Sequence, residues 1–184
     1  FTGTGGAPAT PAQPAAQPTA VETAAYPSIP AATPTTLVLP PISPLSEVTI
    51  ISEGAVSSPS ITVSVYDSLP SNAIAISSQG TVYSYISLGL SSGLDSANLL
   101  KISLNLSIEK SWFTDNNLNP NQTFLNRYND TTKNWTTFST IYLGENETHY
   151  KFSVLLPHLS LFAINAMPLQ CACPKLGDWS SCVD

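Results

Sequence analysis

Fixed positive charge is nearly missing from this sequence. Lys101, Lys110, Lys133, Lys151, Lys175 and Arg127 are its only permanent cations, against twelve carboxylates and a net charge of −6. They form no basic cluster, which argues against a nucleic-acid partner and against an anionic membrane surface. Long apolar runs are missing as well. The best of them, Leu37-Val38-Leu39-Pro40-Pro41-Ile42, is broken by proline, and a membrane span needs roughly 18 apolar residues. Catalytic parts are equally scarce. His149 and His158 are the only histidines, and neither belongs to a nucleophile–base pattern. The serines include no Gly-x-Ser-x-Gly elbow. Gly3-Thr4-Gly5-Gly6 has no strand before it and no helix after it, so it is no phosphate loop. Asp67 and Glu109 would form a glycosidase pair only if the tertiary fold joined them. The expectation is a protein that is not an enzyme and carries no cofactor.

What the chain has instead is proline, hydroxyls and amides. Sixteen prolines are concentrated in a Pro/Ala/Thr tract. Across residues 1–34 they recur every few positions, a spacing that favours extended polyproline II. Such a tract has almost no apolar surface to offset the entropy of ordering it. Anything that orders it must come from outside, and another copy of the chain is the best candidate. Residues 35–45 differ, because Leu37, Val38, Leu39, Ile42 and Leu45 are apolar enough to dock. No initiator methionine and no basic-plus-apolar leader opens the chain, and Phe1 is read as the residue left by a cleaved secretory signal.

From Ser46 the pattern changes to period two. Leu100, Ile102, Leu104, Leu106 and Ile108 alternate with Lys101, Ser103, Asn105, Ser107 and Glu109. Ile61, Val63 and Val65, then Tyr150, Phe152 and Val154, repeat the theme. One buried and one wet face per strand is the mark of an antiparallel sheet. Strands are predicted at 47–53, 60–66, 72–77, 81–89, 99–109, 122–128, 135–143, 147–156 and 160–166, with one short helix from Lys110 to Asn116. The expected fold is an all-β, Ig-like antiparallel sandwich over residues 46–166. It carries an extended Pro-rich tail over 1–45 and a short Cys-containing segment over 167–184.

Five Asn-x-Ser/Thr sequons fall within residues 105–148, at Asn105, Asn121, Asn129, Asn134 and Asn146. Several lie at predicted turns, and Asn105 takes the polar side of its strand, so covalent N-glycans are expected. Cys171, Cys173 and Cys182 make an odd count. In an oxidising compartment they imply one intrachain disulfide plus a thiol paired elsewhere. A Cys-x-Cys with one distant cysteine and no nearby histidine is a poor zinc site. Asp115-Asn116-Asn117-Leu118-Asn119 is likewise no calcium loop, because Pro120 stands where a turn glycine is needed. Tyr83, Tyr85, Trp112, Trp135 and Tyr150 could form a sugar platform, although aromatic residues on strands more often pack.

From about Val82 to Ala166 the chain resembles the archaeal surface-protein module called the PGF-pre-PGF domain. The elements are Val82-Tyr83-Ser84-Tyr85, Lys101-Ile102 with Ile108, and Ser111-Trp112-Phe113 leading to Asn117 and Pro120. Leu125-Asn126-Arg127-Tyr128, Trp135, Tyr150-Lys151-Phe152 and Ser160-Leu161-Phe162-Ala163-Ile164 complete them. Pro157-His158-Leu159 stands where family members tend to have Pro-Gly-Phe. The resemblance implies a β-sandwich in secreted or surface-anchored archaeal proteins, with no catalytic residues.

Together these readings predict a structural subunit of an extracellular filament or surface array, a homopolymer with no nucleic-acid partner and no membrane span of its own. Its subunits would join by inserting residues 35–45 into a neighbour, with Leu37, Val38, Leu39, Ile42 and Leu45 in contact. About four aliphatic anchors at roughly 1.5–3 kcal/mol each would order only part of the tail. The alternatives are an adhesin or carbohydrate-binding module on a Pro/Thr stalk, and one domain of a larger surface-layer glycoprotein.

Overall fold

The computed structural model describes residues 16–26, 28–42, 44–76, 80–91, 94 and 98–169. Within them lie β1 (Ala20–Ala25), β2 (Ser28–Ile29), β3 (Thr35–Ile42), β4 (Leu45–Ser52), β5 (Val56–Ser57), β6 (Ser60–Tyr66), β7 (Thr81–Leu90) and β8 (Leu99–Glu109). The helix α1 (Lys110–Asp115) follows, then β9 (Leu118–Asn129), β10 (Asn134–Ser139), β11 (Ile141–Glu145), β12 (His149–Leu156) and β13 (Leu161–Pro168). A six-stranded sheet runs β1-β6-β7-β13-β9-β10, a five-stranded sheet runs β11-β12-β8-β4-β3, and β2 pairs with β5. Every pairing between these strands is antiparallel. The fold is therefore all-β and antiparallel, as the alternation predicts.

One apolar cluster draws on both sheets. Ile61, Val63, Ile86, Leu125, Phe162 and Ile164 come from the six-stranded sheet, and Val48, Ile50, Ile102, Leu104, Phe152 and Val154 from the five-stranded one. Period-two alternation puts these residues on one face of each strand. Helix α1 seals an end of this core. Phe113 is buried, with ring centroids 4.8 Å from Trp112 and 5.2 Å from Tyr150, and Trp112 lies 5.0 Å from Tyr83. The helix stops where Asn117 takes a left-handed φ of 53°, a conformation asparagine tolerates better than most residues.

A second, smaller cluster covers the opposite face of the six-stranded sheet. Tyr85, Tyr128, Leu161 and Ala163 pack there beneath Leu69, Ala73 and Ile76. This is why the strand predicted at 72–77 does not form. Over residues 72–76 the chain crosses the aromatic face, and side chains take its carbonyls. The Trp135 indole N–H donates to Ile74 O at 2.8 Å, and the Tyr128 hydroxyl to Asn72 O at 3.5 Å. At the end of this crossing Gly80 holds φ 133°, and a Cβ there would sit 2.6 Å from Ala166 O. Only glycine fits.

Two further expectations are corrected. The single strand predicted over 135–143 is two strands, β10 in one large sheet and β11 in the other, with Thr140 at the crossing. Thr140 Oγ1 donates to Thr123 O at 2.8 Å, which fixes the crossing point. The extended tail drawn over residues 1–45 enters the sheets from Ala20 onward, as β1, β2 and β3. Alanine and threonine tolerate an edge strand, and the prolines fall between or beside the paired positions.

Candidate functional site

The residues expected to make subunit contacts lie at one margin, where β1 and β3 contact each other at the ends of their sheets. In β3, Leu37 is fully buried and Leu39 nearly so, and both join the core of their own chain, as does Leu45 in β4. Val38 points to the opposite face and is 71% exposed. The backbone of Ile42 pairs with Leu45, and its side chain lies outside the described residues. Pairing with β4 is interrupted between Val38 and Ile42. Pro40 and Pro41 have no N–H to donate there.

β1 is built differently. It pairs with β6 over six positions, from Ala20 opposite Val65 to Ala25 opposite Ser60. Partners opposite each other share a face, so Ala20, Glu22 and Ala24 stand on the side of Val65, Val63 and Ile61. The two alanines are half-buried and Glu22 is exposed. On the other side the Thr23 and Thr62 hydroxyls meet at 2.9 Å, and Val21 is 53% exposed. At its C-terminal end Tyr26 N donates to Pro59 O at 2.9 Å, and beyond it Ile29 is fully buried in the core. The Tyr26 hydroxyl is buried without a partner, and burial pushes its pKa above the ordinary phenol range. The sequence signal for β1 was faint, because Ala-Val-Glu-Thr-Ala-Ala has no apolar alternation to read.

The sequons occupy three kinds of position. Asn129 and Asn146 open hairpin turns, where each Oδ1 accepts the N–H two residues on, at 3.0 Å. Asn134 is exposed and stands directly opposite Asn129. Asn121 is exposed, but its sequon Thr123 is buried and donates to Pro120 O at 2.8 Å. Asn105 lies inside the five-stranded sheet, and its Nδ2 donates to Glu47 Oε2 at 2.7 Å. Hydroxyl pairs surround it, Ser103–Ser153 at 3.0 Å and Thr36–Thr49 at 3.0 Å.

Other candidate chemistry is dispersed. The five aromatic residues of the supposed platform split between two places, with Tyr83, Trp112 and Tyr150 around the helix and Tyr85 and Trp135 in the smaller cluster. Asp67, just after β6, and Glu109, at the end of β8, belong to different sheets. His149 Nδ1 lies 2.8 Å from the Thr148 hydroxyl. Among the described residues no group of three or more His, Cys, Asp or Glu is placed to hold a metal, and no helix is long and apolar enough to cross a membrane. A shallow cleft of about 280 Å³ is lined by Glu53, Gly54, Ala55, Val56 and Asn98. It gathers one carboxylate and no nucleophile. Cys171, Cys173 and Cys182 lie outside the described residues.

One polar group was not foreseen. Asn126, fully buried in β9, donates to Asn165 Oδ1 at 2.6 Å and accepts from the Thr137 hydroxyl at 2.7 Å. It ties three neighbouring strands together, and satisfied buried amides of this kind favour one register over its alternatives. Set against protein-family models and against curated proteins, the chain matches none.

Proposed function

We propose that this protein is a non-enzymatic structural subunit of an extracellular archaeal filament or surface array. In this reading it is an Ig-like sandwich of the PGF-pre-PGF type, located outside the cell. It bears N-glycans on some of Asn105, Asn121, Asn129, Asn134 and Asn146 and contains no cofactor. Subunits join when the N-terminal segment of one engages the sheets of the next. One observation carries the reading: the N-terminal strands β1 and β3 are both edge strands, each held by a single neighbour, at one shared margin. An edge strand can be given to another copy without opening the interior of either sheet.

The test is electron microscopy and sedimentation of native full-length protein at high concentration. Polymers are the expected result, and a monodisperse monomer would refute the proposal. A monomer that binds glycans would instead favour an adhesin or carbohydrate-binding module. Intact mass of native material reports the glycans in the same preparation.

A further inference from the structure

We propose that β1, and not the 35–42 segment, is the element exchanged between subunits. Residues 16–25 of one copy leave their own β6 and pair with β6 of the next copy, in the register seen within the chain. This rests on the polymer reading above and names the contact that such a polymer uses.

Three observations select β1. Its core-side face offers two alanines and a carboxylate, so lifting it removes no large side chain from the core. Lifting β3 would withdraw Leu37 and Leu39, which are 0% and 4% exposed. Next, the detachable part has a defined end. The Tyr26 N–H is held by Pro59 O, and Ile29 is locked in the core, so the part that can detach ends at Ala25. Finally, a bare β6 is a template for another strand. Ile61, Val63 and Val65 back onto the core, and an uncovered β6 would present a row of unpaired backbone groups beside them.

The occupant that fits is a second copy's own residues 16–25, because the contacts are the ones present in the closed chain. Exchange of identical contacts makes the two forms close in free energy, and high subunit concentration then favours the shared form. Residues 16–25 are taken up by the pairing itself, so the β6 that receives them must lie directly beside the margin that donates them. Passed head to tail with a rotation that does not close, the strand builds a fibre, whereas reciprocal exchange would stop at a dimer.

The experiment uses the Thr23–Thr62 pair, which faces solvent across the junction. The full-length T23C/T62C variant is oxidised after assembly and run under denaturing, non-reducing conditions beside wild type and T23C alone, which report any crosslink made by the native cysteines. Fragment mass analysis locates the new bond between positions 23 and 62. The expected result is a ladder of covalent multimers. Polymers in the microscope combined with a crosslink confined to single chains would overturn the exchange and leave the polymer reading standing. Monomers with an internal crosslink would overturn both. Failure of any 23–62 bond to form would remove the β1–β6 pairing itself, and the exchange with it.

Discussion

β1 and β3 close the same margin of the molecule, one at the end of each large sheet, and they are made of opposite material. β3 sends Leu37 and Leu39 into the core and leaves Val38 outside. β1 sends two alanines and Glu22 to the core side, and its firmest side-chain contact is a solvent-facing pair of threonines. Topology alone would rank the strands as equals. Burial separates them: one is part of the core and the other a cover laid along it. A subunit that exchanged β1, as proposed above, would need that division.

Five changes test it, from the largest expected effect downward. Leu37→Ala should lower unfolding free energy by about 2–5 kcal/mol in chemical denaturation, the usual range for emptying a buried leucine site. Removal of residues 1–25 should cost less, on the order of 1 kcal/mol, because the modest net worth of the lost ladder is offset by freed chain entropy. The far-ultraviolet dichroism should remain that of a folded β protein, and polymers should vanish from sedimentation profiles. If this truncation unfolds the chain, β1 is core and the contrast with β3 is gone.

Alkaline titration gives a finer test. The Tyr26 phenol is raised by burial, so its folded form resists ionisation. Its contribution to stability is whole below the unfolded value of about 10 and is lost as pH rises through the raised folded value. Tyr26→Phe should remove that part of the alkaline loss, while Tyr85 and Tyr142, whose phenols are also raised, keep theirs. Stability near neutral pH should hold or rise by up to about 1 kcal/mol, since an unpartnered buried hydroxyl is removed. The smallest effects belong to the exposed valines. Val21→Lys and Val38→Lys should each stay within about 0.5 kcal/mol of wild type, as read from thermal melts.

Much of the sheet structure was legible because period-two alternation is a direct image of a half-buried strand. β8 falls at the residues the pattern gave, and β6 likewise. The helix was readable because Lys110 breaks that alternation and Trp112-Phe113 needs one turn to reach the core. The rest was hidden for physical reasons. β1 is short on apolar residues because it covers a sheet edge and fills no volume. Ile74 and Ile76 alternate like strand residues, yet their segment serves as a lid whose carbonyls are met by Trp135 and Tyr128. For the candidate contacts, the sequence showed which residues are sticky but not whose core they fill. Leu37 satisfies its own chain first.

The crossing at Thr140 has a further consequence. β10 and β11 belong to different sheets but are separated by that one residue. A slip of one residue in a strand turns every side chain to the other face. Here such an error could not stay local. Moving β10 by one would pull Trp135 out of its aromatic nest and push Tyr142 away from Phe152, now 5.8 Å from it across the ladder. The single slack point is the irregularity between Tyr142 and Gly144, where Gly144 holds φ 128°. With only Thr140 between them, the alignment of β10 in one sheet is tied to that of β11 in the other.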